Sequence, residues 1–144
     1  MIVHLGVVDV AYTEDDKLTT TGKVAGILEA NYGVMRTFVE LHEDEIGDEL
    51  VNQLMGMLES AKQGKLDEDI AERVADIHFP KIQAMFRNYL DAGEWEKTSG
   101  QPTQVALDGV RHSHKRPYAN GKGPRPSFID TGLYRSSFRT WVSK

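Results

Sequence analysis

The longest stretch of helical spacing in the chain decides most of what it can fold into. Val34, Phe38, Leu41, Ile46, Leu50, Leu54, Met57 and Leu58 keep one helical repeat, while Glu40, Glu43, Asp44, Asp48 and Glu49 fill the other faces. A continuous helix of about 30 residues would be about 45 Å long. The usual helix has about 11–12 residues, so Gly47 is the expected bend. A chain built around such an element is mainly helical.

The flanks supply the remaining elements. Residues 2–10 are rich in Val and Ile and read as a strand. Thr13 to Lys17 is a polar turn. Thr19, Thr20 and Thr21 offer N-cap hydroxyls ahead of Val24, Ile27 and Leu28, and Asn31 with Gly33 ends that helix. Gln63-Gly64-Lys65 stops the long segment. Asp67 then caps a helix whose apolar stripe is Ile70, Val74 and Ile77. Phe79-Pro80 interrupts it, and Pro80 opens a further helix carrying Ile82, Met85, Phe86, Tyr89 and Leu90 to Gly93. Thr103 to Leu107 is expected as a short strand ending in the Asp108-Gly109 turn. Asp130 or Thr131 caps a short helix, and Phe138 to Val142 alternates as a closing strand.

The expected fold is α+β: a mainly helical body, a small antiparallel sheet and a long basic Pro/Gly-rich arm. The sheet would draw on the first residues, on 103–110 and on the last strand. With 144 residues and 16.2 kDa, the chain reads as one domain, body 1–93 followed by the arm and a helix-strand unit over 97–144. Cysteine is absent, which excludes disulfides, thiolate zinc sites, thiol nucleophiles and iron–sulfur clusters. A mean hydropathy of −0.44 fits a soluble protein, no apolar run approaches the ~18 residues of a membrane span, and the first ten residues do not read as a secretory signal.

Charge is divided unevenly. Residues 1–96 carry 8 Lys and Arg against 20 Asp and Glu, a balance of −12, whereas residues 97–144 carry 9 against Asp108 and Asp130, a balance of +7. An acidic body with a basic tail suits a polyanion, the acidic face of another copy, or a match within one molecule. The positive charge centres on residues 111–127, RHSHKRPYANGKGPRPS, where Pro117, Pro124 and Pro126 break any ladder of backbone donors. Arg111, Lys115, Arg116, Lys122 and Arg125 could contact phosphates or the acidic helix of a neighbouring subunit. Tyr118 is the only aromatic there, and no helix-turn-helix, zinc-finger or RNA-binding signature accompanies the charges. The subunit reading ranks first.

Other chemistry is poorly supported. His112 and His114 lack a third ligand at metal spacing and sit among Arg111, Lys115 and Arg116. The carboxylates Glu40, Glu43, Asp44, Glu45, Asp48 and Glu49 read as a solvated or subunit-contacting face, without the Glu-x-x-His spacing of helical di-iron sites. Ser136 and Ser137 have no nucleophile-elbow context, and Gly121-Lys122-Gly123 has no Walker spacing. Catalysis, metal and cofactor are not expected.

Residues 125–138, RPSFIDTGLYRSSF, resemble the end region of virion morphogenesis proteins of tailed bacteriophages, the group of head–tail connector, neck and tail-completion proteins. In that group a proline followed by D-T-G-x-L-x-x-S-I/F precedes a final strand. Asp130, Thr131, Gly132 and Ser136 or Ser137 fall on the signature, Leu133 stands one place early, and Phe138 takes the place of the aliphatic. The segment Thr21 to Ala30 within an acidic helical first half also looks like phage structural proteins of this size. The resemblance implies a structural subunit and no enzyme: a ring of copies coaxial with the DNA channel, between the portal-bound connector and the tail tube. It further implies residence in the virion neck or tail after synthesis in the bacterial cytoplasm. Under it, Leu133, Phe138 and Trp141 are expected to fasten the turn and last strand to the helices. A DNA-binding accessory protein and a tail-tip or baseplate component remain alternatives.

Overall fold

In the computed structural model the two ends of the sequence meet as one antiparallel ribbon. Residues 2–12, 19–63, 79–99, 102–109, 124, 126–129 and 131–143 are described. Strand β1 (Ile2–Val7) pairs with β2 (Phe138–Ser143) in a register running from Ile2↔Ser143 to Val7↔Phe138. Between them lie α1 (Thr21–Tyr32), α2 (Val34–Leu41), α3 (Glu43–Lys62), α4 (Pro80–Asp91), α5 (Glu94–Ser99), α6 (Gln104–Leu107) and α7 (Leu133–Ser137). This is the α+β architecture expected.

A two-stranded ribbon is marginal alone, and here α4 covers its inner face. Phe138, Thr140 and Val142 alternate inward along β2, with Val3, Leu5 and Val7 of β1 opposite them. Ile82, Phe86, Tyr89 and Leu90 of α4 are buried against this side. Phe86 stacks on Phe138 with centroids 4.0 Å apart, and Phe38 of α2 meets Phe86 edge-on at 5.2 Å. Such ring pairs add about 0.5–1.5 kcal/mol beyond the area they bury. Thr140, also buried, accepts a hydrogen bond from the Phe79 amide at 3.0 Å and so fixes where α4 begins. Pro80 opens α4 where its missing N–H costs nothing. The buried Tyr89 hydroxyl donates to the Val34 carbonyl at 3.1 Å, and burial raises its pKa.

The start of α1 is locked to the chain leaving β1. Thr20 is the N-cap, accepting from the Lys23 amide. Thr21 Oγ1 donates to the Val8 carbonyl and accepts from the Val10 amide at 2.8 Å. Asp9 accepts from the Gly22 amide at 2.8 Å, and a Cβ on Gly22 would stand 2.7 Å from that carboxylate. Hydrogen bonds from Thr20 and Gly22 hold the Asp9 pKa below the ordinary value. Gly33, at φ 59°, closes α1 and starts α2, a left-handed position that favours glycine.

Three expectations need correction. The long helical segment breaks at His42, not at Gly47, which is helical within α3. The cause is the imidazole: it packs on Phe38 at 5.2 Å and binds Glu94 Oε2 of α5 at 2.9 Å, which turns the backbone at position 42. Residues 104–107 are a helical turn rather than a strand, so the sheet has two strands among the described residues. Thr103 Oγ1 caps that turn through the Ala106 amide, Ala106 is buried, and Asp108-Gly109 ends it with Gly109 at φ 63°. Trp141 does not fasten β2 to the helices but stands on the ribbon's outer face. The inward side chain from the preceding turn is Tyr134, 3% exposed and edge-on to Phe86 at 6.0 Å. The expected helix at Asp67 to Ile77 lies outside the described residues.

Candidate assembly surface

The signature residues sit where the chain turns from the basic stretch into β2. Thr131 Oγ1 accepts from the Leu133 amide at 3.2 Å, and Gly132 takes φ 80° as the N-cap of α7. Ser136 Oγ donates to the Leu133 carbonyl at 3.0 Å, and Ser137 Oγ to that of Tyr134 at 2.8 Å. Both hydroxyls thus serve their own turn. The Ser137 carbonyl accepts from the Val8 amide at 2.9 Å, extending the ribbon past Phe138. Phe138, fully buried, drives the end of the signature into the core. Arg135 clamps Asp91 at the end of α4 with two guanidinium N–H groups, one at 2.7 Å from Nε. Arg135 and Tyr134 are anchors that sequence reasoning missed, although their spacing from Phe138 places both along one short helical turn.

The described residues flanking the stretch 111–125, Thr103 before it and Ser127 and Phe128 after it, are anchored as well. Ser127, 2% exposed, donates its amide to Glu96 Oε1 at 2.7 Å, and its hydroxyl accepts from the Thr103 amide at 3.0 Å. Phe128 packs edge-on against Trp95 at 4.9 Å and against Tyr32 at 5.4 Å. It holds φ 65°, a left-handed conformation uncommon for an aromatic residue. Trp95 Nε1 donates to the Tyr32 carbonyl at 3.0 Å. These contacts seat α6 and residues 126–129 on one side of the body. Arg111, Lys115, Arg116, Lys122 and Arg125, together with His112, His114 and Asp130, lie outside the described residues.

The carboxylates of α2 and α3 separate into one structural group and several surface ones. Glu49, 5% exposed, pairs with Lys81 Nζ at 2.8 Å and accepts from Gln53 at 3.1 Å. Those two hydrogen bonds, Lys81 first, lower its pKa. Glu40, Glu43, Asp44, Glu45 and Asp48 are exposed, with Glu45 Oε2 3.6 Å from His42 Nδ1. Among the described residues no three His, Cys, Asp or Glu side chains could share a metal ion, and no helix is long and apolar enough to cross a membrane. A shallow, open groove at the joint of α1 and α2, lined by Glu29, Tyr32 and Arg36 among others, brings no nucleophile to a base.

Exposed apolar side chains occur on several elements, Ile27, Leu41 and Leu107 among them, and α3 carries four at helical spacing. Val51, Leu54, Met55 and Leu58 stand open on α3, and Ile2 and Trp141 on the outer face of the ribbon. Trp141 stacks on His4 at 5.3 Å and lies over Gly6, where a Cβ would come within 2.8 Å of its ring. Compared with family models, curated proteins and solved structures, the chain finds no match in any of the three.

Proposed function

We propose that the chain is a non-enzymatic structural subunit of a tailed-phage particle. Copies form a ring in the neck, at head–tail joining or tail completion, through contacts that include the basic stretch 111–125. The observation that carries this reading is the likeness of residues 125–138 to the end region of phage neck proteins. It is supported by the position of Thr131, Gly132, Leu133, Ser136 and Phe138, which together turn the chain from the basic stretch into the ribbon. The charge division of −12 and +7 suits contacts between copies. Ser136 and Ser137 spend their hydroxyls on their own turn, and this too favours a structural role.

The reading is tested with the variant Arg111→Glu/Lys115→Glu/Arg116→Glu, its mass compared with that of the unaltered protein by light scattering. The expected result is loss of the assembled species with an unchanged melting temperature. Persistence of the assembly would remove the basic stretch from the joint. A monomer that gains mass only on a short DNA duplex would favour the accessory DNA-binding reading, for which the same five cations are the motivation.

A further inference from the structure

Helix α3 carries more apolar surface than the core uses. Ile46 and Leu50 turn inward, but Val51, Leu54, Met55 and Leu58, spaced i, i+3, i+4, i+7, make a second stripe that is 40–58% exposed. Asp48 and Glu59, both exposed, stand seven residues before and four after Met55, which lines them along one margin of that stripe. The stripe is apolar, with Asp48 and Glu59 along one margin and the exposed Lys62 at its C-terminal end.

The outer face of the ribbon is its chemical complement. The pairs Ile2↔Ser143, His4↔Trp141 and Gly6↔Arg139 share that face, where Ile2 is 57% and Trp141 41% exposed. Arg139 is exposed, and its Nη1 donates to the carbonyls of Ser136 and Phe138. No carboxylate among the described residues pairs with it. The ribbon face is apolar with a cationic edge.

We infer that these two faces are the halves of one head-to-tail contact between copies of this chain: the α3 stripe of one copy seats on the outer ribbon face of the next. The mixed pairing brings Arg139 of one copy to Asp48 and Glu59 of the next, whereas two ribbon faces would bring only cations to their shared edge. The mixed pairing sets opposite charges around an apolar centre, the arrangement of a specific interface. The lengths are compatible: the stripe runs about 10 Å along the helix, and six strand residues run about 20 Å. A contact between two different patches leaves one of each free on every pair, so it propagates and closes as a ring when the rotation allows. This inference rests on the reading that copies assemble, and it does not depend on the identity of the particle.

The test uses two variants of the full chain, Val51→Asp/Leu58→Asp on the stripe and Ile2→Asp/Trp141→Ser on the ribbon, with mass read by light scattering. Each alone should be monomeric, and an equimolar mixture should form a dimer and nothing larger, because each copy retains one working face. Arg139→Glu, which leaves the apolar side chains intact, should also lose the assembly, and adding Asp48→Arg/Glu59→Arg to the same chain should restore it. A mixture that stays monomeric overturns the inference. Variants that keep the assembled mass overturn it while leaving the ring reading standing, whereas an unaltered protein that is monomeric at every concentration overturns both.

Discussion

Thr140 joins the ribbon to the helices through a single oxygen, and replacing that oxygen at constant shape isolates its contribution. The side chain is 1% exposed, and Oγ1 accepts from the Phe79 amide at 3.0 Å and from Gln83 Nε2 at 3.3 Å. Thr140→Val preserves volume but leaves a buried amide without an acceptor, at a cost of about 1–3 kcal/mol. The added methyl returns at most about 0.8 kcal/mol, so the net loss is about 1–2 kcal/mol. For a domain stabilised by about 5–15 kcal/mol in total, that is a large share. The melting temperature should fall by about 3–8 °C. Thr140→Ser keeps the acceptor, loses one buried methyl, and should cost about 1 kcal/mol. Urea unfolding followed by circular dichroism measures both, with an unchanged slope expected. Hydrogen exchange at the Phe79 amide separates the causes, since protection should drop in the Val variant beyond its global destabilisation and track global stability in the Ser variant. A Val variant as stable as the parent, with Phe79 still protected, would refute the argument.

The two faces of β2 should answer different assays. Phe138→Ala removes a fully buried ring stacked on Phe86 and should cost about 3–5 kcal/mol in unfolding free energy, whereas Trp141→Ser, on the outer face, should move stability far less and register instead in the mass of the assembly. Lys81→Met should destabilise the fold by stranding the buried Glu49 carboxylate, measured by urea titration across pH. Because folding lowers the Glu49 pKa, the pair's contribution is complete above the ordinary value of 4.5 and is lost as pH falls through the lower folded value; in Lys81→Met that acid dependence should shrink. The same sign holds for Asp9, whose pKa is also lowered, so Asp9→Ala should lower the melting temperature at pH 7 and narrow the gap to the parent as pH drops below about 4.

Much of the fold was legible because local chemistry and tertiary packing agree. Thr20, Gly33 and Pro80 act where their backbone preferences place them, and the alternation of Phe138, Thr140 and Val142 marks a strand with one buried face. The misreadings occur where a long-range partner decided the outcome. His42 breaks the long helix because its ring is held by Phe38 and by Glu94, 52 residues away, and no local pattern announces that. Residues 104–107 carry apolar spacing that suits either a short strand or a single turn; the Thr103 cap and its bond to Ser127 select the turn. Trp141 is expected, with Leu133 and Phe138, to fasten the last strand to the helices, yet it alternates outward with Arg139. Within the candidate surface, the signature from Thr131 to Phe138 was visible from its residues, while the open face of α3 was not. Leu54 and Leu58 continue the i+4 series of Ile46 and Leu50, and only packing shows that the first pair stays open while the second turns inward.

The central claim is that the chain works by assembling with copies of itself, and the most direct measurement is its light-scattering mass at low and high salt, with and without a short DNA duplex. A closed oligomer that dissociates in high salt and ignores the duplex is the result expected from opposite charges at its joints. A monomer at all salt concentrations that gains mass only on the duplex would contradict the claim.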